Sequence, residues 1–133
     1  MDTTATILRI LPLLASVVLR RGDTRHASSL FAEGLRSAEE SADTILTARC
    51  MSGLGAVAIA QGNTSRAARL LASAEVLFSM SSGLDAEHLD EHTARVALVR
   101  SSLAPIQFDA AWAEGTATTA ERAVAYALES TNT

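Results

Sequence analysis

The chain has 133 residues and a formal charge of −4, enough for one domain or a short repeat array and too little for two full domains. Hydrophobic residues make up 48% and charged residues 20%, which excludes disorder through low hydrophobicity, and the acidic balance argues against phosphate-driven nucleic-acid binding. All 11 basic residues are arginine, so mechanisms that need lysine, such as the P-loop or a Schiff base, are closed to it.

Aromatics are only 4% and alanine supplies much of the apolar content. Alanine is the best helix former, and strands favour branched or aromatic residues, so the composition predicts an all-α fold. The first expected helix covers about 5–21. Its run from Ala5 to Leu19 is shorter than the ~20 residues a bilayer span needs, and Arg9 and Pro12 interrupt it. The run also lacks the basic start of a signal peptide, and Arg20–Arg21 follow where small residues belong. The expectation is a cytoplasmic protein without a membrane span. Pro12 is expected to kink this helix or to mark its true start.

Further helices are expected at about 24–39, 44–61, 64–81, 86–103, 105–114 and 119–130, seven in all. Residues 19–32 (LRRGDTRHASSLFA) and 59–72 (IAQGNTSRAARLLA) align at an offset of 40. Gly22 falls on Gly62, Asp23 on Asn63, Thr24 on Thr64, Ala27 on Ala67 and Leu30 on Leu70. Each glycine can end a helix in the left-handed conformation, and the Asp or Asn after it can cap the next one. Ala27 and Ala67 let antiparallel helices approach, with Leu30/Phe31 and Leu70/Leu71 filling the seam. The pattern predicts repeated helical hairpins: repeat one about 5–41, repeat two about 44–82, and a C-terminal cap about 86–130. Asp85 is the expected cap of the fifth helix. Thr118, with Glu121 three residues on, suggests a capping box for the last.

These spacings resemble the tetratricopeptide repeat (TPR): a large–small pair, seven residues to Gly, five to Ala and four to Phe or Leu. Leu54, Gly55, Gly62, Ala67, Leu71 and Ala74 occupy the positions in one copy, and Leu14, Ala15, Gly22, Ala27 and Phe31 in the other. Gly34 replaces the late alanine, the terminal proline is missing, and the step exceeds the usual 34 residues. GNTSRAARLLASAE (62–75) and the segment from Pro105 to Leu128, with FDAAWAEG inside it, are similar to the MalT-like TPR regions of bacterial STAND-type ATPases and LuxR- or SARP-family transcriptional regulators. That resemblance implies a non-enzymatic protein–protein interaction or regulatory scaffold. It matches only the repeat region of such regulators, neither the nucleotide-binding nor the DNA-binding domain.

Several motifs invite sharper readings. His88, Glu91 and His92 match H-x-x-E-H, an inverted zincin pattern, and two histidines four apart can share a helix face. No third ligand is singled out by spacing, so the segment reads as a solvated polar helix face with no metal or other cofactor. The alternative is a small-ligand or metal-sensing helical domain using His88 and His92. Gly53–Leu54–Gly55 with Glu75 loosely matches a dinucleotide fingerprint, but the preceding residues continue a helix where a strand is required. Cys50 reads as a buried, inert thiol. Arg20, Arg21 and Arg25 form a basic cluster that reads as a solvated surface. Phe108 and Trp112, at i and i+4, read as the anchor of the C-terminal cap.

In stacked hairpins the first helix of each pair lines a concave face. Thr47, Arg49, Ser52 and Gln61 are the residues expected to face a partner groove there. The first helix is apolar nearly all round, and such a helix is buried on all faces. Ile7, Leu11, Leu14 and Val18 are therefore expected to self-associate, as a homodimer or against repeats of a parent protein. No contact with nucleic acid or membrane is expected.

Overall fold

The computed structural model describes the backbone of residues 3–81 and 86–129, with side chains from Arg9 onward in the first helix and from Leu89 onward in the fifth. Among the described residues the chain is all-helical: α1 Thr3–Arg20, α2 Thr24–Ser41, α3 Thr44–Ala60, α4 Thr64–Ser79, α5 Ala86–Ser102, α6 Pro105–Ala117 and α7 Ala120–Glu129. The seven expected helices are all present, with ends displaced by up to three residues. Asp85 lies outside the described residues. No helix of the described chain is long and apolar enough to cross a membrane.

The repeated turn is physically the same in both copies. Gly22 and Gly62 take φ +91° and +79°. The amide after each reaches back to close the helix: Asp23 N to Val18 O at 3.2 Å, and Asn63 N to Ala58 O at 2.8 Å. Asp23 Oδ1 then accepts from His26 N, and Asn63 Oδ1 from Arg66 N, capping α2 and α4. A third copy stands between them. Ala42 adopts φ 55°, Asp43 N reaches Ala38 O at 2.9 Å, and Asp43 Oδ1 accepts from Leu46 N. The turn therefore recurs at 22, 42 and 62, a step of 20 residues where the sequence suggests 40.

These turns lay each helix against the next: α1 on α2, α2 on α3, α3 on α4. Small residues set how closely they pack. A Cβ on Gly34 would stand 2.7 Å from Cys50 Sγ, one on Gly53 would enter the Phe31 ring, and one on Gly55 would press on Leu71. Gly53 and Gly55 thus serve helix packing inside α3, away from any strand. Ala27, Ala67, Leu71 and Leu35 are fully buried in the seams, and Phe31 and Leu70 nearly so.

Helix α6 lies along α4, closely enough that a Cβ on Gly115 would meet Arg69 O and stand 2.7 Å from Ala72 Cβ. Phe108 stacks on Trp112, and the Arg100 guanidinium lies over the Phe108 ring, 4.4 Å from its centre. Helix α7 meets α2, α3 and α4. Arg66 holds its C-terminal end by donating to the carbonyls of Tyr126 and Ala127, 3.1 Å each. The expected cap at Thr118 is corrected by one residue. Its hydroxyl instead donates to Glu114 O, finishing α6, while Thr119 Oγ1 accepts from Arg122 N. Glu121 then falls out of capping-box register. Pro12 neither starts nor ends a helix: α1 runs through it, and its ring is buried.

Candidate functional site

Helices α1, α3 and α5 border a small cleft, open to solvent and lined by Pro12, Leu13, Ser16, Arg49, Ser52, Glu91 and Arg95, with Phe31 and Phe78 behind. Of the four residues expected in a partner groove, Arg49 and Ser52 are here. Thr47 and Gln61 are not. Thr47 is buried on another face of α3, where its hydroxyl donates to Asp43 O at 2.8 Å. It borders a separate, mostly apolar hollow, open to solvent, with Ala38, Leu77 and Val124. Gln61 is exposed at the C-cap of α3. Residues 49 and 52 are three apart and share a face, whereas 47 and 61 fall on other sides of the helix.

A hydrogen-bonded chain of side chains forms the floor. Arg95 Nη1 donates to Ser52 Oγ at 3.1 Å, and Arg95 Nη2 to Glu91 Oε1 at 2.7 Å. A guanidinium has no acceptor, so the Ser52 hydroxyl hydrogen is left for His92 Nδ1, 2.9 Å away. We assign Nδ1 as the acceptor and the imidazole proton to Nε2, the ring nitrogen that faces Glu75. That atom is buried without a partner at hydrogen-bonding geometry; Glu75 Oε1 at 3.4 Å is the nearest carboxylate. The His92 ring meets Phe78 edge-on at 5.1 Å. Burial, the dominant cause, pushes the His92 pKa below its ordinary value, partly opposed by Glu75. The surroundings thus favour the neutral imidazole.

The reading of this segment as a solvated face holds for Leu89, Asp90 and Glu91, which are exposed, and is corrected at His92. His92 is 3% exposed and belongs to the core. Glu91 points elsewhere, toward Arg95 and, at 3.5 Å, Ser16 Oγ. The side chain of His88 lies outside the described residues. Among the described residues no group of three or more His, Cys, Asp and Glu is placed to hold a metal. Ser52, His92 and Glu75 stand in the order of nucleophile, base and acid, but Ser52 is 1% exposed, so its oxygen is packed into the floor. Cys50 is fully buried and its thiol is pushed up to about 12 by burial, the state of an inert thiol.

The second surface of note is the outer face of α1. Ile10, Leu13, Leu14 and Val17 are 52%, 55%, 47% and 39% exposed. Their spacing is i, i+3, i+4, i+7, one continuous apolar stripe on a helix whose opposite side packs into the core. Of the residues expected to self-associate, Leu14 is in this stripe. Leu11 faces inward near Gly34, and Val18 packs against the core. The side chain of Ile7 lies outside the described residues. Arg20, Arg21 and Arg25 are exposed beyond the end of the stripe.

No protein-family model, curated protein or solved structure matches the chain.

Proposed function

We propose that the protein is a non-enzymatic interaction module, a TPR-like scaffold that packs against a protein partner through the outer face of α1. The observation that carries this reading is the stripe Ile10, Leu13, Leu14, Val17, exposed on a helix whose other side is core. Contiguous apolar surface of this kind mostly marks interaction sites, whereas scattered single residues need no explanation. The equivalent turns at Gly22 and Gly62 support the repeat assignment. The likeness of residues 62–75 and 105–128 to the repeat regions of STAND-type and LuxR- or SARP-family regulators supports a regulatory setting in the cytoplasm.

The simplest occupant of the stripe is a second copy. Burying what remains exposed of four aliphatic side chains is worth about 1 kcal/mol each. A symmetric pair doubles this to roughly 8 kcal/mol, against association costs that start near 4 kcal/mol. The dimer is then weak and concentration-dependent. Light scattering from ~10 μM to ~1 mM should show a mass rising from that of the 13.9 kDa chain toward twice that value. Leu14→Glu should stay folded and monomeric. A mass that stays at one chain over the whole range removes the second copy as occupant.

A further inference from the structure

The apolar hollow beside Thr47 lies where α7 crosses the ends of α2, α3 and α4. Its floor is Ala38, Thr47, Leu77 and Val124, all buried, and the Thr47 hydroxyl already donates to Asp43 O. Glu39 from the end of α2 and Glu121 from the start of α7 stand exposed on its rim. Among the described residues neither carboxylate forms a hydrogen bond or an ion pair, and no basic residue lines the hollow. The arginines nearby in sequence are placed elsewhere: Arg9 pairs with Asp43 at 3.5 Å, and Arg122 borders a different hollow with Arg69 and Glu114. Glu121 is well placed in the first turn of α7, at the positive helix end. Glu39 is not. With Glu40 it occupies the last turn of α2, the negative end, which holds no basic residue. The fold thus leaves two negative charges on an apolar hollow, one of them where the helix itself disfavours it.

We infer that this hollow binds a small primary alkylammonium, with its branched alkyl end on Leu77 and Val124 and its ammonium held by Glu39 and Glu121. Charge complementarity selects a cation, and the buried apolar floor selects one that carries an alkyl body. A compact ammonium with three rotatable donors can serve carboxylates that come from two different helices, whereas a planar guanidinium matches a single carboxylate. No aromatic ring lines the hollow, so it offers no cage to a quaternary ammonium. A free amine can bury its whole alkyl body there. A lysine of a partner protein would be tethered to peptide groups that the rim side chains of Ala42 and Ala120 cannot hydrogen-bond. The hollow contains no residue of α1, so its occupancy is independent of the self-association proposed above.

The test follows the methyl signals of Leu77 and Val124 by NMR at low ionic strength. The labelled protein is titrated with 3-methylbutylammonium chloride, with the uncharged 3-methylbutan-1-ol, with ammonium chloride and with acetyl-lysine-methylamide. The alkylammonium should shift both signals saturably, half-complete by roughly 10 mM, and the alcohol should bind about tenfold more weakly. The double variant Glu39→Gln/Glu121→Gln should lose the same factor. Glu39→Gln alone should weaken binding severalfold with a melting temperature no lower than the parent. No saturable shift, equal affinity for amine and alcohol, or unchanged affinity in the double variant overturns the inference. Ammonium ion binding as tightly as the alkylammonium leaves only a counterion on exposed carboxylates and overturns it. The lysine derivative binding more tightly than the free amine overturns it in favour of a partner side chain. A lowered melting temperature in Glu39→Gln shows that Glu39 serves the fold, and overturns it as well.

Discussion

Replacing Ser52 by alanine probes the floor of the cleft with a change of one oxygen atom. Ser52 Oγ accepts from Arg95 and donates to His92 Nδ1. Arg95 retains Glu91, and its guanidinium can turn toward the open cleft. His92 has no such recourse: it is 3% exposed, and its Nε2 already lacks a good partner. Loss of the serine leaves Nδ1 a buried, unsatisfied acceptor, which costs about 1–3 kcal/mol. Alanine returns roughly 0.5 kcal/mol through its better helix propensity. The net expectation is a loss of about 0.5–2.5 kcal/mol, or roughly 2–9 °C in melting temperature for a chain of this size. Urea denaturation followed by circular dichroism at pH 7.5 measures it. The double variant Ser52→Ala/His92→Phe removes both polar partners and should lose less than the sum of the two single changes. A Ser52→Ala loss below about 0.5 kcal/mol, or an additive double variant, would show that the Ser52–His92 bond carries none of the weight assigned to it.

The depressed pKa of His92 makes stability pH-dependent in a definite direction. In the unfolded chain it takes up a proton near pH 6.5; in the fold it does so only at lower pH, so its contribution is complete above about 6.5 and is lost as pH falls through the interval below. Difference denaturation curves between the parent and His92→Phe should show that slope in the parent only. Ala42→Gly should stabilise by about 0.5–1 kcal/mol, since alanine at φ 55° costs ~1–2 kcal/mol and glycine's extra chain entropy offsets only part. A thermal shift of a few degrees upward checks it, and a downward shift contradicts the shared-turn geometry. Gly115→Ala places a Cβ against Arg69 O and Ala72 and should lose a net ~1–2 kcal/mol by the same denaturation assay. The Cys50 thiol should not react with Ellman's reagent in the native protein and should react fully in denaturant, because it is buried with its pKa near 12.

Much of the helical layout was legible because it is written in local chemistry. Gly22–Asp23 and Gly62–Asn63 mark a left-handed exit and a capped entry, and both turns lie where the residues place them. The intermediate turn was harder to see, since Ala42 carries the conformation that glycine signals elsewhere. Arg49 and Ser52 could be placed on one face of α3 by spacing alone, but Thr47 and Gln61 required knowing which face meets which neighbour. The burial of His92 had a usable signal. His92, Val96 and Val99 recur at i, i+4 and i+7, and Val96 and Val99 pack in the core; treating histidine as a polar surface residue concealed that it starts the buried stripe of α5. Glu75 and Ser52 join it only through the meeting of α3, α4 and α5, which no local pattern encodes. Arg95 did carry a local cue, an acidic partner four residues earlier in Glu91.

The central claim is that the apolar stripe on α1 is a contact surface, and its most direct test is a filtered NOE experiment on an equimolar mixture of ¹³C-labelled and unlabelled protein at high concentration. Intermolecular contacts are expected from the methyl groups of Ile10, Leu13, Leu14 and Val17, with none from the buried Leu71. Intermolecular contacts confined to other helices, or their absence where light scattering shows a dimer, would contradict it.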